Sequence, residues 1–259
     1  MRHRVVALST SVALAVTALA GCGTGPGSSA PTSAAPTTLT VFAAASLGST
    51  FTTLGQQFET AHPGTRVAFS FAGSPDLVTQ LQQGAPADVL ASADTATMDR
   101  LVADRLVAGP PVAFATNTLE IAVPPDNPAR ITAFADLARP GVKLVVCAPQ
   151  VPCGAAAEKI ETATNTTLTP ASEENAVTDV LGKVISGEAD AGLVYVTDVR
   201  AAGGQVKGIG FEESGTARNT YPIATLTTAQ QSDLAGQFVQ LVTGHEGRRV
   251  LGEAGFGAP

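Results

Sequence analysis

Two serines stand where an apolar, strand-like run gives way to a helix start. Ser46 follows VFAAA, and Ser74 follows FAG and precedes Pro75. A helix N-terminus offers free N–H donors and the positive end of the helix dipole, so it can bind an anion without a cationic side chain. Either serine alone could be a simple N-cap. Two of them after strands favour a ligand site, because open α/β sheets bind ligands at the carboxyl ends of their strands.

Two further helix starts could add backbone amides to such a site. Cys153 and Gly154 open a helix that carries Ile160, and Val177 follows Ala176 at the start of a second helix. None of the segments around these candidate residues contains lysine or arginine: FAAASL, FAGSPDL, QVPCGAA, NAVTDV and GLVYVTD. The sequence therefore indicates a site built from neutral hydrogen-bond donors.

A cavity of donors alone suits a fully deprotonated tetrahedral anion. Hydrogen phosphate would need an acceptor for its proton, and an unmatched buried polar group costs about 1 to 3 kcal/mol. Asp76 lies two residues after Ser74 and could accept such a proton. We interpret it instead as a first-turn acid that favours the helix dipole.

The surrounding elements alternate between short apolar runs and segments of helical period, which is typical of βα units on a mostly parallel sheet. The predicted strands are LTVFAAA, RVAFSFA, ADVLASA, TLEIAVP, KLVVC and AGLVY. The apolar stripes of the predicted helices include Leu47, Phe51, Leu54 and Phe58; Leu77, Val78 and Leu81; Val177, Val180, Leu181, Val184 and Ile185; and Leu234, Phe238, Leu241 and Val242. The turn-rich residues 125–128 indicate entry into a second lobe, with a return near Tyr221. A cleft between two lobes is a preferred ligand site.

Five segments occur in an order and spacing that resemble the molybdate-binding proteins of bacterial molybdate ABC transporters: VFAAASL, SFAGS, GAPADVLASAD, VPCG and GLVYVTD. The resemblance covers most of residues 39–259. It implies an α/β, two-lobed periplasmic-binding-protein fold (type II-like) with the ligand cleft between the lobes. It also implies a monomer that is not an enzyme, binds molybdate or tungstate without a cofactor or a directly ligated metal, and delivers the anion to a membrane permease.

The resemblance also implies which groups hold the anion. The hydroxyls fall on Ser46, Ser74 and Tyr195, and the backbone amides fall on Cys153 and Val177. Cys153 replaces the alanine that is common at its position, and a contact through the amide should survive that change. The predicted limits of lobe 1 are 39–118 and 220–259, and those of lobe 2 are 119–219.

The N-terminus has the layout of a secretory signal, with Arg2 and Arg4 before an apolar run that ends at small residues. Its LAGC sequence resembles the lipobox of bacterial lipoproteins, so we expect residues 1–21 to be a signal peptide and Cys22 to carry lipid. Residues 22–38 are uncharged and small and form a predicted flexible linker. The protein is expected outside the cytoplasm, anchored to the cell membrane.

The whole chain has 15 basic and 22 acidic residues and a formal charge of −7. Nucleic acid and anionic lipid head groups are therefore not expected as partners. Cys147 and Cys153 remain as an even pair in an oxidising compartment, which predicts a disulfide.

Three other assignments compete with a molybdate carrier. A serine hydrolase would need a GxSxG elbow or a base beside Ser46 or Ser74, and neither pattern is present. A ferric-ion binder usually relies on neighbouring tyrosines or on carboxylate and histidine ligands, whereas the two tyrosines of this chain, Tyr195 and Tyr221, are far apart in the sequence. Sulfate has the same charge and shape as molybdate and stays open as a ligand.

Overall fold

A computed structural model of the chain describes residues 36–259. The predicted signal peptide 1–21, Cys22 and the linker up to residue 35 lie outside the described residues. The end of the predicted linker is not flexible, because Thr37 and Thr38 already belong to a strand and pair with Thr65 and Arg66 of the next one. The described part belongs to one compact unit, Ala35–Pro259. None of its helices combines the length and the apolar character needed to cross a membrane.

The described residues form ten strands. In chain order they are β1 Thr37–Ala44, β2 Thr65–Ala72, β3 Val89–Ala91, β4 Val112–Asn117, β5 Leu119–Val123, β6 Leu144–Cys147, β7 Ser172–Glu174, β8 Ala191–Tyr195, β9 Lys207–Ile209 and β10 Asn219–Thr225. All six predicted strands are present. The sequence did not predict the other four strands, β4, β7, β9 and β10, and the short strands β7 and β9 have no apolar alternation.

The same residues form eight α-helices: α1 Gly48–Ala61, α2 Ser74–Gln82, α3 Thr95–Ala103, α4 Pro152–Thr164, α5 Val177–Ile185, α6 Val196–Ala202, α7 Ser232–Thr243 and α8 His245–Ala254. The predicted stripe is buried at Leu47, directly before α1, and at Phe51, Leu54 and Phe58 within it. The C-terminal helical segment is two helices rather than one, because the chain is extended at Gly244 (ψ −174°).

The strands form two five-stranded sheets, and corresponding positions in the two sheets have the same parallel or antiparallel pairing. The first sheet has the order β2-β1-β3-β10-β4, and the second has the order β7-β6-β8-β5-β9. In the first sheet β1 pairs with β2 and β3 in parallel, and β10 runs antiparallel to β3 and β4. In the second sheet β6 pairs with β7 and β8 in parallel, and β5 runs antiparallel to β8 and β9.

Each sheet is the centre of one lobe, so the chain has the predicted two-lobed α/β architecture. It passes from the first sheet to the second between β4 and β5, across Thr118, and returns between β9 and β10. Helices cover both faces of the first sheet: Val41 and Ala43 of β1 belong to the large core cluster with α1, whereas Phe42 packs with α2 and α3. The parallel strands of each sheet end at the same edge, where the following helices begin.

Candidate functional site

A small cavity lies between the two lobes, at the carboxyl ends of their parallel strands. Its lining residues are Ala44, Ala45, Ser46, Ala72, Gly73, Ser74, Ala93, Val151, Pro152, Cys153, Val177 and Tyr195. All five residues that the sequence predicted as ligands are among them. The cavity volume is about 10 Å³, close to the roughly 10 to 15 Å³ that one water molecule needs. The cavity therefore suits a ligand of only a few atoms.

Helix N-termini from both lobes meet at this cavity. The N-caps of α2, α4 and α5 are Gly73, Val151 and Ala176, and none of them makes a side-chain capping hydrogen bond. The turn that begins at Ala45 and leads into α1 is likewise uncapped. By contrast, α3 is capped by Asp94, whose carboxylate accepts the N–H of Thr97 at 2.9 Å. The uncapped starts leave first-turn N–H groups free to donate to a ligand.

Cys153 and Val177 supply two of these amides. Cys153 is the second residue of α4, and Val177 is the first residue of α5. Among residues 36–259, no carbonyl or side chain accepts a hydrogen bond from either N–H group. A disulfide joins Cys153 to Cys147 at the end of β6, so the start of α4 is tied to the second sheet.

Each of the two serine hydroxyls makes one hydrogen bond within the protein. The hydroxyl of Ser74, which is 1% exposed, accepts the N–H of Ala93 at 3.0 Å. The Ser46 hydroxyl lies 3.0 Å from the hydroxyl of Tyr221, and either oxygen can be the donor in that pair. Because an N–H cannot reverse its role, the proton of Ser74 is left for another acceptor.

Tyr195 lines the cavity from the second lobe. The residue is 1% exposed, and its hydroxyl has no hydrogen-bond partner among the described residues. Burial raises the pKa of Tyr195 well above its usual value, and the nearby Tyr221 and Asp198 raise it further. The group therefore stays protonated at neutral pH. Leaving such a buried hydroxyl unbonded costs about 1 to 3 kcal/mol, a cost that a bound acceptor would remove.

No residue that lines the cavity is charged. Asp76 is exposed in the first turn of α2 and does not line the cavity. Asp198 is buried behind it, where its carboxylate accepts the N–H of Tyr195 at 2.9 Å. Burial raises the pKa of Asp198 to about 7, although the hydrogen bond from Tyr195 lowers it. In the part of the chain that the structure describes, no three His, Cys, Asp or Glu side chains are grouped closely enough to hold a metal ion.

The lobes touch each other beside the cavity. A Cβ placed on Gly73 in the first lobe would lie 2.0 Å from the carbonyl oxygen of Asn175 in the second. Nearby, the side-chain amide of Asn219 donates to the carbonyl of Ala93 at 3.0 Å and to that of Pro152 at 3.3 Å. Ala93 follows β3 in the first lobe and Pro152 begins α4 in the second, so Asn219 links the two lobes.

The sequence model of the bacterial extracellular solute-binding proteins matches residues 39–257. The chain belongs to this family. The molybdate-binding protein ModA of Mycobacterium tuberculosis H37Rv is 50% identical over 262 residues, which span 99% of this chain and 100% of the relative. ModA of Escherichia coli K12 is 30% identical over 237 residues, 84% of this chain and 88% of the relative. The similarity to molybdate-binding proteins that the sequence motifs predicted is thereby confirmed.

A solved structure shares the fold of this solute-binding protein. The periplasmic molybdate-binding protein of Azotobacter vinelandii superposes with a TM-score of 0.72 at 21% identity, over 85% of this chain and 99% of that one. The predicted two-lobed periplasmic-binding-protein fold is confirmed by this likeness.

The sequence argument against a ferric-ion site, which used the separation of the two tyrosines along the chain, was wrong. Tyr195 and Tyr221 are far apart in the chain, but their rings pack edge to face with centroids 6.0 Å apart. The separation in sequence therefore does not argue against a ferric-ion site. The composition of the cavity does, because neither a carboxylate nor a histidine lines it.

Sequence reasoning also missed three residues at the site of this solute-binding protein. Tyr221 was read only as the return to the first lobe, and Gly73 and Asn219 were not singled out. Gly73 had a local signal, since it separates a predicted strand from Ser74. The roles of Tyr221 and Asn219 depend on partners between 67 and 175 residues away, and no local pattern announces them.

Proposed function

We propose that this protein captures molybdate and tungstate outside the cytoplasm and delivers them to the permease of an ABC transporter. The observation that carries the proposal is the cavity, which is small and uncharged and joins neutral donors from two lobes. The relatives named for molybdate binding support the choice of anion. The protein is a binding protein rather than an enzyme, and it uses no cofactor.

In this proposal the anion accepts hydrogen bonds from five groups. The hydroxyls of Ser46, Ser74 and Tyr195 and the backbone amides of Cys153 and Val177 are the donors. Hydrogen bonds to a charged acceptor contribute about 1.5 to 3 kcal/mol each. Free helix N-termini add the positive end of their dipoles, so the dianion needs no lysine or arginine.

The donor set supports selectivity by protonation. Molybdate and tungstate carry no proton at neutral pH and can accept at every oxygen. Hydrogen phosphate must also donate, and no side-chain carboxylate lines the cavity to accept its proton. Sulfate satisfies the donors as well as molybdate does, so only the size of the cavity separates these two anions.

The anion would also hold the lobes together. We assign residues 37–118 and 219–259, which carry the strands of the first sheet, to lobe 1 and residues 119–218 to lobe 2. Ser46 and Ser74 belong to lobe 1, whereas Cys153, Val177 and Tyr195 belong to lobe 2. A ligand that bonds to both favours the closed state over an open one, and the closed monomer is the form that docks on the permease.

Membrane attachment is the second part of the proposal. Residues 1–21 would be removed as a signal peptide, Cys22 would carry lipid, and residues 22–36 would tether the binding unit to the cell membrane. Fractionation of cells that express the full chain tests this directly. The wild type should sediment with membranes, and Cys22→Ala should be released into the soluble fraction; an unchanged distribution would contradict the anchor.

Calorimetric titration of residues 36–259 tests the ligand assignment, because this part belongs to one compact unit. We expect tight binding of molybdate and tungstate, weak binding of sulfate and negligible binding of phosphate. Ser46→Ala and Ser74→Ala should each weaken molybdate binding by about 10- to 100-fold. Ser49→Ala is the matched control, since Ser49 is exposed on α1 and does not line the cavity. Tighter binding of sulfate than molybdate would identify a sulfate carrier, and no heat with any anion would refute the proposal.

A further inference from the structure

Tyr221 is buried directly behind one of the proposed anion donors. It lies on β10, has 0% of its surface exposed and does not line the cavity. Its hydroxyl is 3.0 Å from the Ser46 hydroxyl, and among the described residues the Ser46 side chain makes no other hydrogen bond. The Tyr221 ring packs edge to face against Phe114, Tyr195 and Phe256. These contacts fix the position of its hydroxyl.

The direction of this hydrogen bond decides what Ser46 offers to a ligand. If Ser46 donates to Tyr221, its oxygen presents only lone pairs to the cavity, which repel an anion. If Tyr221 donates to Ser46, the Ser46 proton is free for the ligand. Ser74 has no such choice, because its partner is the N–H of Ala93.

The surroundings of Tyr221 favour the second direction. Burial raises the pKa of Tyr221 above its usual value, so its hydroxyl keeps its proton. Among the described residues, the Ser46 hydroxyl is the one hydrogen-bond partner of the Tyr221 hydroxyl, so a Tyr221 proton that points away from Ser46 would be buried without an acceptor. The proton of Tyr221 then needs an acceptor, and Ser46 lies within hydrogen-bond distance.

We infer that Tyr221 is a positioning residue that sets Ser46 as a donor and so helps the cavity to select fully deprotonated anions over protonated ones. This inference rests on the proposed function. A chain of two hydroxyls that ends on the anion also polarises the bond nearest to it. Without Tyr221, Ser46 could turn its lone pairs toward the cavity and accept the proton of hydrogen phosphate.

A double-mutant cycle tests whether Tyr221 acts through Ser46. Molybdate and phosphate are titrated into residues 36–259 as wild type, Tyr221→Phe, Ser46→Ala and the double variant. Phenylalanine keeps the ring, so the packing against its aromatic neighbours should persist, and thermal unfolding checks that it does. We expect Tyr221→Phe to weaken molybdate binding by about 3- to 10-fold and to lower the preference for molybdate over phosphate. In the Ser46→Ala background the same change should alter molybdate affinity by less than about 2-fold.

The matched control is a second cycle with Ser74→Ala. Ser74 donates to the same anion but is held by Ala93, so the effects of Tyr221→Phe and Ser74→Ala should multiply independently. If Tyr221→Phe weakens molybdate binding equally in the wild-type and Ser46→Ala backgrounds, the inference is overturned, but the proposed function is not. So would an unchanged ratio of molybdate to phosphate affinity. A wild type that binds no molybdate would instead refute the proposed function and this inference with it.

Discussion

Replacing Gly73 by alanine should prevent the two lobes from closing on the anion. The new Cβ would lie 2.0 Å from the carbonyl oxygen of Asn175, whereas ordinary contacts begin at 3.4 Å, so the lobes would have to separate by about 1.4 Å. Such a shift breaks hydrogen bonds between the anion and one lobe. Losing two charged hydrogen bonds costs about 3 to 6 kcal/mol, which corresponds to roughly 10²- to 10⁴-fold weaker binding.

Calorimetric titration with molybdate measures this loss. The backbone of Gly73 has φ −58° and ψ 137°, which alanine adopts readily, so Gly73→Ala should still fold. The control is Gly182→Ala on α5, where a Cβ meets nothing within 4 Å and should leave molybdate affinity within about 2-fold while favouring the helix. If Gly73→Ala binds molybdate as tightly as the wild type, the closed contact between Gly73 and Asn175 plays no part in binding, and the reasoning fails.

Three further predictions concern the groups around the cavity. Asn219→Ala removes the amide that bridges the lobes and should weaken molybdate binding about 10-fold in the same titration; an unchanged affinity would count against the bridge. Burial raises the pKa of Asp198 to about 7, so the native state holds a proton that the unfolded chain releases above about pH 4. Denaturant titrations should therefore show stability falling by up to about 1.4 kcal/mol per pH unit between pH 4 and 7, and Asp198→Asn should remove that slope. In thermal unfolding, the double variant Cys147→Ser, Cys153→Ser should show a free energy of unfolding lower by about 2 to 3 kcal/mol. It should still bind molybdate with an affinity within about 10-fold of the wild type, because residue 153 contacts the anion through its backbone amide. Complete loss of binding would contradict this role of the amide.

The sequence predicted those parts of the fold that have a strong local pattern. The run AGLVY became β8 with the same limits, and the apolar stripe from Val177 to Ile185 became α5. Both elements bury an apolar face, so hydrophobic period and structure agree. By contrast, β7 reads SEE and β9 reads KGI. Pairing with β6 and β5 creates these strands, and a polar three-residue segment carries no sign of such pairing.

The candidate site divides in the same way. Ser46, Ser74, Cys153 and Val177 belong to helix starts, which short segments of sequence reveal, and the fold brings these starts to one cavity. The partners that orient the hydroxyls could not be predicted, since Tyr221 lies 175 residues from Ser46 in the chain. Only the tertiary structure shows that Tyr195 and Tyr221 are neighbours. The amides at helix starts can thus be predicted from short segments of sequence, whereas the hydrogen-bond partners that orient each hydroxyl depend on the tertiary fold.

A crystal structure of the protein with tungstate, whose metal gives a strong anomalous signal, tests the central claim most directly. We expect one tungsten peak in the cavity between the lobes. The oxygens of the anion should lie about 2.7 to 3.2 Å from the hydroxyls of Ser46, Ser74 and Tyr195 and from the amides of Cys153 and Val177. A peak elsewhere, or a lysine or arginine side chain bonded to the anion, would contradict binding by neutral donors at converging helix starts.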